Sequence, residues 1–173
     1  MDLRVARPHA LVALALLLGA PAAAADVVTL PDTRATFALD LATWSALPIE
    51  PAAAAAGLVA AYRSPSATLA IARARVPNPD AWRAKTRTGY VAQIERGIAA
   101  SIPGYTRTAR AIGALGGELD GVPMLDLEAT GAAGTRYVIR VLLFRTYALT
   151  LAAEVTHRDL DRARAAVRSF GAR

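Results

Sequence analysis

The chain has 173 residues, with 20 basic and 14 acidic side chains, a net charge of +6 at pH 7 and no cysteine. The missing thiols exclude disulfides, thiolate metal sites, cysteine nucleophiles and the lipid-modified cysteine of a bacterial lipoprotein. All basic residues except Lys85 are arginine in an alanine-rich sequence. Because this composition is typical of codon bias, the net charge alone predicts no particular partner.

The N-terminal segment is typical of a secretory signal peptide. Arg4 and Arg7 precede an apolar run at 10–18, and a series of alanines ends at Ala25, which is the three-zone pattern that signal peptidase recognises. We predict cleavage between Ala25 and Asp26 and export to the periplasm or out of the cell. The run is shorter than the ~20 residues that span a bilayer, which argues against a permanent anchor. The mature region has no other apolar stretch of that length, so we expect no transmembrane segment in the mature chain.

The remaining residues, 26–173, are predicted to form a single domain, which is an ordinary size for one hydrophobic core. A short β-prone run occupies 27–30. Apolar residues then alternate with small or polar ones at 37–41, which indicates a half-buried strand. The alanine run at 52–56 lies between a proline and a glycine, and we predict a loop there.

The middle of the sequence predicts a hairpin followed by a long helix. Strands are expected at 58–63 and 67–76, joined by a Ser-Pro-Ser turn. Asp80 stands at the N-cap position of a helix at 81–101. The apolar stripe of that helix, which must pack against the core, consists of Val91, Ile94, Ile98 and Ile102.

The second half is mostly strand and ends in a helix. Strands are predicted at 105–115, 122–130, 135–145 and 147–156, and a helix at 159–170. Strands and helices therefore occur in blocks. This order favours an α+β fold with a single antiparallel β-sheet, one long helix packed on it and a C-terminal helix.

Several landmarks stand along this order: the 37–41 alternation followed by Trp44, the proline-bounded Asp80, the segment GVPMLDLE at 121–128, the paired strands across 137–154, and Ser169-Phe170. Together they resemble the PsbP-like fold family, which includes DcrB-like bacterial exported proteins. The resemblance implies the fold, and it implies an accessory or binding role because most members known to us act in that way.

Candidate nucleophiles and metal ligands are sparse. His157 is the one histidine after the signal segment, and we interpret it as part of a polar hinge in which Asp159 caps the last helix. Zinc and copper sites need three or four convergent ligands, so we expect no metal and no cofactor. None of the serines Ser64, Ser66, Ser101 and Ser169 lies in a nucleophile-elbow context.

Asp126 and Glu128 are two residues apart on a predicted strand and so project from one face. Such a pair could serve as the acid and base of a glycosidase or bind calcium. Arg136 and Arg140 share a face of the next strand, and Glu154 lies on the strand after it. We therefore favour cross-strand ion pairs on a solvated sheet face.

Six arginines could form a basic patch for an anionic envelope component: Arg73, Arg75, Arg83, Arg87, Arg107 and Arg110. Few aromatic residues accompany them for base stacking, so we expect no nucleic-acid partner. The sequence favours an exported, non-catalytic binding or accessory protein of the bacterial cell envelope, monomeric, with an unidentified protein or envelope partner. A small carboxylate-based hydrolase and an electrostatic binder of anionic lipid or polysaccharide remain the alternatives.

Overall fold

The computed structural model describes residues 26–30, 35–75, 87–115, 121–144, 146–156 and 159–172. Asp26 is the first residue of the first strand. Ala25, the other side of the predicted cleavage site, lies outside these ranges, and so do Asp80 and His157.

Within these ranges the chain forms ten strands, three α-helices and one 3-10 turn. The elements are β1 (Asp26–Thr29), β2 (Ala35–Leu39), β3 (Ser45–Ala46), α1 (Pro51–Ala55), β4 (Leu58–Arg63), β5 (Ala67–Arg75), α2 (Arg87–Ser101), β6 (Thr106–Ala114), β7 (Pro123–Thr130), the 3-10 turn (Ala132–Gly134), β8 (Arg136–Leu143), β9 (Tyr147–Val155), α3 (Leu160–Arg168) and β10 (Gly171–Ala172).

A seven-stranded antiparallel sheet forms the centre of the molecule, with strand order β3-β4-β5-β9-β8-β7-β6. The predicted hairpin of β4 and β5 is confirmed, and so is the run of strands from β6 to β9. Burial alternates along β5 and β7, as the period of two in the sequence predicts for strands with one more deeply buried face.

The prediction of a single sheet is wrong, because β1, β2 and β10 form a second, three-stranded antiparallel sheet. Asp26 pairs with Leu39, and Gly171 of the C-terminal strand pairs with Thr36. Strands β2 and β10 lie near opposite ends of the described chain, so no local sequence pattern predicts that they pair. The alternating segment also ends earlier than predicted, since Leu41 follows β2 and is 47% exposed.

The two faces of the large sheet carry two separate cores. On one face, Val91 and Ile102 from the α2 region pack on β7 and β8. On the other face, α3 and the small sheet pack together, with Phe37 and Phe170 at the centre. The molecule therefore has three layers: α2, the large sheet, and α3 with the small sheet.

Helix α2 packs on the sheet as its apolar stripe predicts. Val91 is fully buried, whereas Ile94 and Ile98 are half-buried. The described helix begins at Arg87, and the predicted first residues, 81–86, lie outside the described ranges.

The prediction of a loop at 52–56 is wrong, because Pro51–Ala55 forms the short helix α1. Proline suits the first helical position, where its missing N–H would have had no helical partner, and alanine has the highest helix propensity. Gly57 then ends the turn at φ +97°, a conformation that an L side chain rarely adopts.

Among the helices of the described residues, none combines the length and the apolar character that crossing a bilayer requires.

Candidate functional site

Asp126 and Arg140 face each other across the β7–β8 ladder. Arg140 donates from Nε to Oδ1 of Asp126 at 2.7 Å and from Nη2 to Oδ2 at 2.8 Å. The arginine is only 7% exposed. Both carboxylate oxygens therefore accept hydrogen bonds from one guanidinium, which is the bidentate geometry of a strong ion pair.

The third nitrogen of the same guanidinium reaches the end of α3. Nη1 of Arg140 donates to the carbonyl oxygen of Arg168 at 2.5 Å and to that of Phe170 at 3.2 Å. Carbonyls at a helix C-terminus have no partner within the helix. Arg140 therefore satisfies the last carbonyl of α3, that of Arg168, and ties the end of this helix to the sheet.

The carboxylate of Glu128 accepts hydrogen bonds from two arginines of α3. Arg164 donates from Nε to Oε1 at 2.9 Å and from Nη2 to Oε2 at 2.7 Å, and Nη2 of Arg168 lies 3.4 Å from Oε1. These hydrogen bonds lower the pKa of Glu128, with Arg164 the largest cause. The same contact raises the pKa of Arg164.

The predicted cross-strand ion pairs are thus confirmed for Asp126 and Arg140, but not for Glu128, whose arginine partners lie on α3 and not on a neighbouring strand. Val138, not Arg136, lies opposite Glu128 in the ladder. Glu154 lies opposite Tyr137, which packs against the core on the α2 side. Glu154 therefore projects from that face of the sheet, not from the face of Glu128, and takes no part in this row of charges. Because α3 covers this row of charges, the face is also less solvated than predicted, and the Glu128 side chain is 17% exposed.

Chemically, this arrangement offers little for turnover. A carboxylate that acts as general acid needs a proton near neutral pH, and one that acts as general base or nucleophile needs an oxygen that faces the substrate and not a bound cation. Asp126 and Glu128 each accept two hydrogen bonds from an arginine. Nowhere in the described ranges do three or more histidine, aspartate or glutamate side chains come together as a metal site would need.

The serines and the last helix cap have structural partners. Asp159 is the N-cap residue of α3 as predicted, but its side chain does not cap the helix. Its carboxylate instead accepts a hydrogen bond from the hydroxyl of Ser66. Ser169 accepts from the amide of Ala38 at 2.8 Å and donates to the carbonyl of Ala166 at 2.6 Å. The contacts with Ser66 and Ala38 join the two ends of α3 to neighbouring segments.

A cavity of about 350 Å³ opens beside Glu128, between α3 and the strands β6 to β8. Its lining includes Thr108, Arg136 and Arg164. Arg136 makes no ion pair with any residue that the structure describes. No sequence pattern predicts this cavity, which lies beside a bulge in β6 between Arg107 and Ala109. No local pattern signalled the bulge.

The predicted basic patch does not form as one surface among the described residues. Arg73 and Arg75 lie on β5, and Arg107 and Arg110 lie on β6, with three strands between them. At about 4.8 Å per strand this is a separation of roughly 19 Å. Arg83 and the side chain of Arg87 lie outside the described residues.

No protein-family model and no curated protein matches this sequence. Solved structures do match. The cyanobacterial PsbP protein CyanoP of Synechocystis superposes with a TM-score of 0.62 at 14% identity, covering 90% of this chain and 96% of its own.

Two other solved structures are similar at lower scores. LpqN of Mycobacterium tuberculosis, described as involved in cell envelope biogenesis, has a TM-score of 0.47 at 15% identity, covering 88% of this chain and 86% of its own. PA94 of Pseudomonas aeruginosa has a TM-score of 0.43 at 15% identity, covering 82% of this chain and 89% of its own. The narrower resemblance to DcrB-like proteins stays a prediction. The match to CyanoP shows that this chain has the PsbP-like fold, which confirms the expected α+β class but not the expected single sheet.

Proposed function

We propose that the protein is an exported accessory or binding protein of the bacterial cell envelope that works without catalytic turnover. One observation carries the non-catalytic part of this proposal. Asp126 and Glu128, the paired carboxylates that the sequence offered as an acid and base, each bind an arginine through both oxygens. Their arginines hold α3 on the sheet, which is a structural task.

The location in the envelope rests on the N-terminal sequence. A basic start, an apolar run and an alanine boundary before Asp26 are the features of a cleaved export signal. The PsbP-like fold is compatible with an accessory role but assigns none, because one fold serves many functions. We expect a monomer with no cofactor.

The hydrolase alternative requires one carboxyl group to hold a proton at neutral pH. Glu128 is unsuited to that role because its pKa is lowered by Arg164. The alternative of an electrostatic binder requires a concentrated basic surface. The described arginines of β5 and β6 lie too far apart to form one.

Turnover is tested with the purified mature protein on ester, glycoside and peptide substrates. The variants are Asp126→Asn and Glu128→Gln, and Glu154→Gln is the matched control, since it changes an exposed carboxylate on the other face of the same sheet. We expect no hydrolysis by any of the four proteins. Robust parental turnover that either site variant abolishes and the control retains would replace this proposal with the enzyme.

Export is tested by mass spectrometry of the protein recovered from fractionated cells of the native host. We expect the envelope or secreted fraction to hold a chain whose N-terminus is at or next to Asp26. An intact Met1 on protein confined to the cytoplasm would contradict the proposed location.

A further inference from the structure

Strand β6 is a long, open edge of the large sheet. It spans Thr106–Ala114 and every one of its residues is exposed. Within the described chain it pairs only with β7, on one side. The opposite edge of the sheet is β3, which is just two residues long. An edge strand presents a row of unpaired N–H and C=O groups, so β6 is the side of this sheet on which another strand can pair.

The face of β6 on the α2 side carries excess positive charge. Nη1 of Arg107 lies 2.7 Å from Oε1 of Glu95, and Nη1 of Arg110 lies 3.9 Å from Oε2 of the same residue. Two guanidiniums therefore share one carboxylate. Their side chains are 45% and 30% exposed, which leaves them accessible to a further acidic group.

The other face of β6 is lined by small residues. Ala111 lies opposite Asp126, and Gly113 lies opposite Met124. This is the face of the sheet on which α3 packs. The regular ladder beyond the bulge runs from Ala109 to Ala114. A strand added here would have room for larger side chains on this face.

We propose that β6 binds an extended segment of a partner protein by strand addition, and that the segment places acidic side chains beside Arg107 and Arg110. In such complexes main-chain hydrogen bonds supply much of the affinity, and alternate side chains supply the specificity. This inference rests on the proposed binding function and names its surface and the chemistry of its partner.

Charge argues against a second copy of this chain as the occupant. Antiparallel pairing of two β6 strands would bring Arg107 and Arg110 of both copies to the same side of the junction. Among the described residues, each copy pairs these two arginines with the single carboxylate of Glu95. Like charges at such a junction oppose association. An acidic segment instead neutralises the excess.

The probe is a blocked hexapeptide that alternates glutamate with valine, compared with one that alternates lysine with valine. Amide hydrogen exchange of the mature protein is followed by mass spectrometry with each peptide, and affinity is measured by calorimetry. We expect the acidic peptide to bind and to slow exchange in residues 106–114, and the basic peptide to do neither.

The site variant is the double change Arg107→Glu/Arg110→Glu, and Arg107→Gln/Arg110→Gln is the milder form if the first folds poorly. The matched control is Arg63→Glu/Arg75→Glu, which reverses two exposed arginines on β4 and β5. We expect the site variant to bind the acidic peptide roughly tenfold more weakly and the control to bind like the parent.

Equal affinity for both peptides, protection outside β6, or an unchanged affinity in the site variant would overturn the inference. So would self-association of the parent with protection of β6 in the absence of peptide, because the edge would then belong to a second copy. None of these results would show that the protein has catalytic activity. Failure of strand addition is therefore distinguishable from failure of the proposed function, which parental hydrolysis would reveal.

Discussion

Arg140 and Asp126 form a bidentate ion pair across β7 and β8, and the same guanidinium donates to the carbonyl of Arg168 at the end of α3 and to that of Phe170 just beyond it. One buried side chain therefore connects the large sheet to the layer above it. This arrangement explains why an arginine is 7% exposed in the interior, since all its nitrogens have hydrogen-bond partners there.

Replacing Arg140 with lysine is expected to destabilise the protein although the charge is kept. An ammonium group cannot reproduce the two parallel bonds to Asp126 and the contact with the Arg168 carbonyl at the same time. We expect a loss of about 2 kcal/mol in the free energy of unfolding, measured by urea denaturation. The control is Arg136→Lys on the same strand and face, where a change within about 0.5 kcal/mol is expected. Equal effects of the two substitutions would contradict the structural role of Arg140.

Glu128 should contribute a pH-dependent part of the stability. Its folded-state pKa is lowered from 4.5 by the Arg164 hydrogen bonds, so the unfolded chain takes up its proton first as the pH falls. The stabilisation is present above about pH 4.5 and is lost as the pH falls through the folded-state pKa. We expect the stability difference between the parent and Glu128→Gln to narrow between neutral pH and about pH 3. A stability difference that stays constant over that pH range would show that the ion pair of Glu128 is not its cause.

The sequence predicted the elements that periodic patterns define. The alternation in β2 and the stripe of α2 place apolar residues against a core, and the structure confirms these elements together with the strands predicted at β5 and β7. The ion pair of Asp126 and Arg140 was also predictable, because residues on facing strands of a short hairpin meet at fixed register.

What the sequence could not predict depends on contacts between distant segments. The pairing of β10 with β2 joins the two ends of the domain, and nothing in either segment specifies the other. The partners of Glu128 were missed for the same reason, since they come from α3. One signal was present: Arg164 and Arg168 are four residues apart and so lie on one side of α3.

Substitution by alanine should change the free energy of unfolding in opposite directions at two glycines. A Cβ at Gly97 in α2 would meet nothing within 4 Å, whereas a Cβ at Gly57 would lie 2.3 Å from the carbonyl oxygen of Arg73, at φ +97°. Gly97→Ala should raise the free energy of unfolding by about 0.5 to 1 kcal/mol through helix propensity, and Gly57→Ala should lower it. Thermal unfolding of both variants checks this. A destabilising Gly97→Ala would mean that this helix position is not open as described.

A charge at Val91 should cost more stability than one at Ile94. Both residues belong to the core between α2 and the sheet, but Val91 is fully buried and Ile94 only half-buried. An unpaired buried carboxylate is strongly penalised, so Ile94→Asp should cost about 2 kcal/mol and Val91→Asp considerably more. Denaturation midpoints rank the two variants. The reverse order, or an unchanged midpoint for Ile94→Asp, would show that α2 does not lie on the sheet as described.

The carboxylates of β7 are structural groups: Asp126 binds Arg140, and Glu128 binds Arg164 of α3. A double-mutant cycle on Asp126→Leu and Arg140→Met, with the free energy of unfolding as the measured quantity, tests this role most directly. Each single change leaves one charged group of the pair without its partner, and the double change removes both. We predict that the double variant is more stable than the sum of the single losses implies, with a coupling energy of at least about 2 kcal/mol. Additive losses within about 0.5 kcal/mol would show that Asp126 is not committed to Arg140, and would leave its carboxylate available for chemistry.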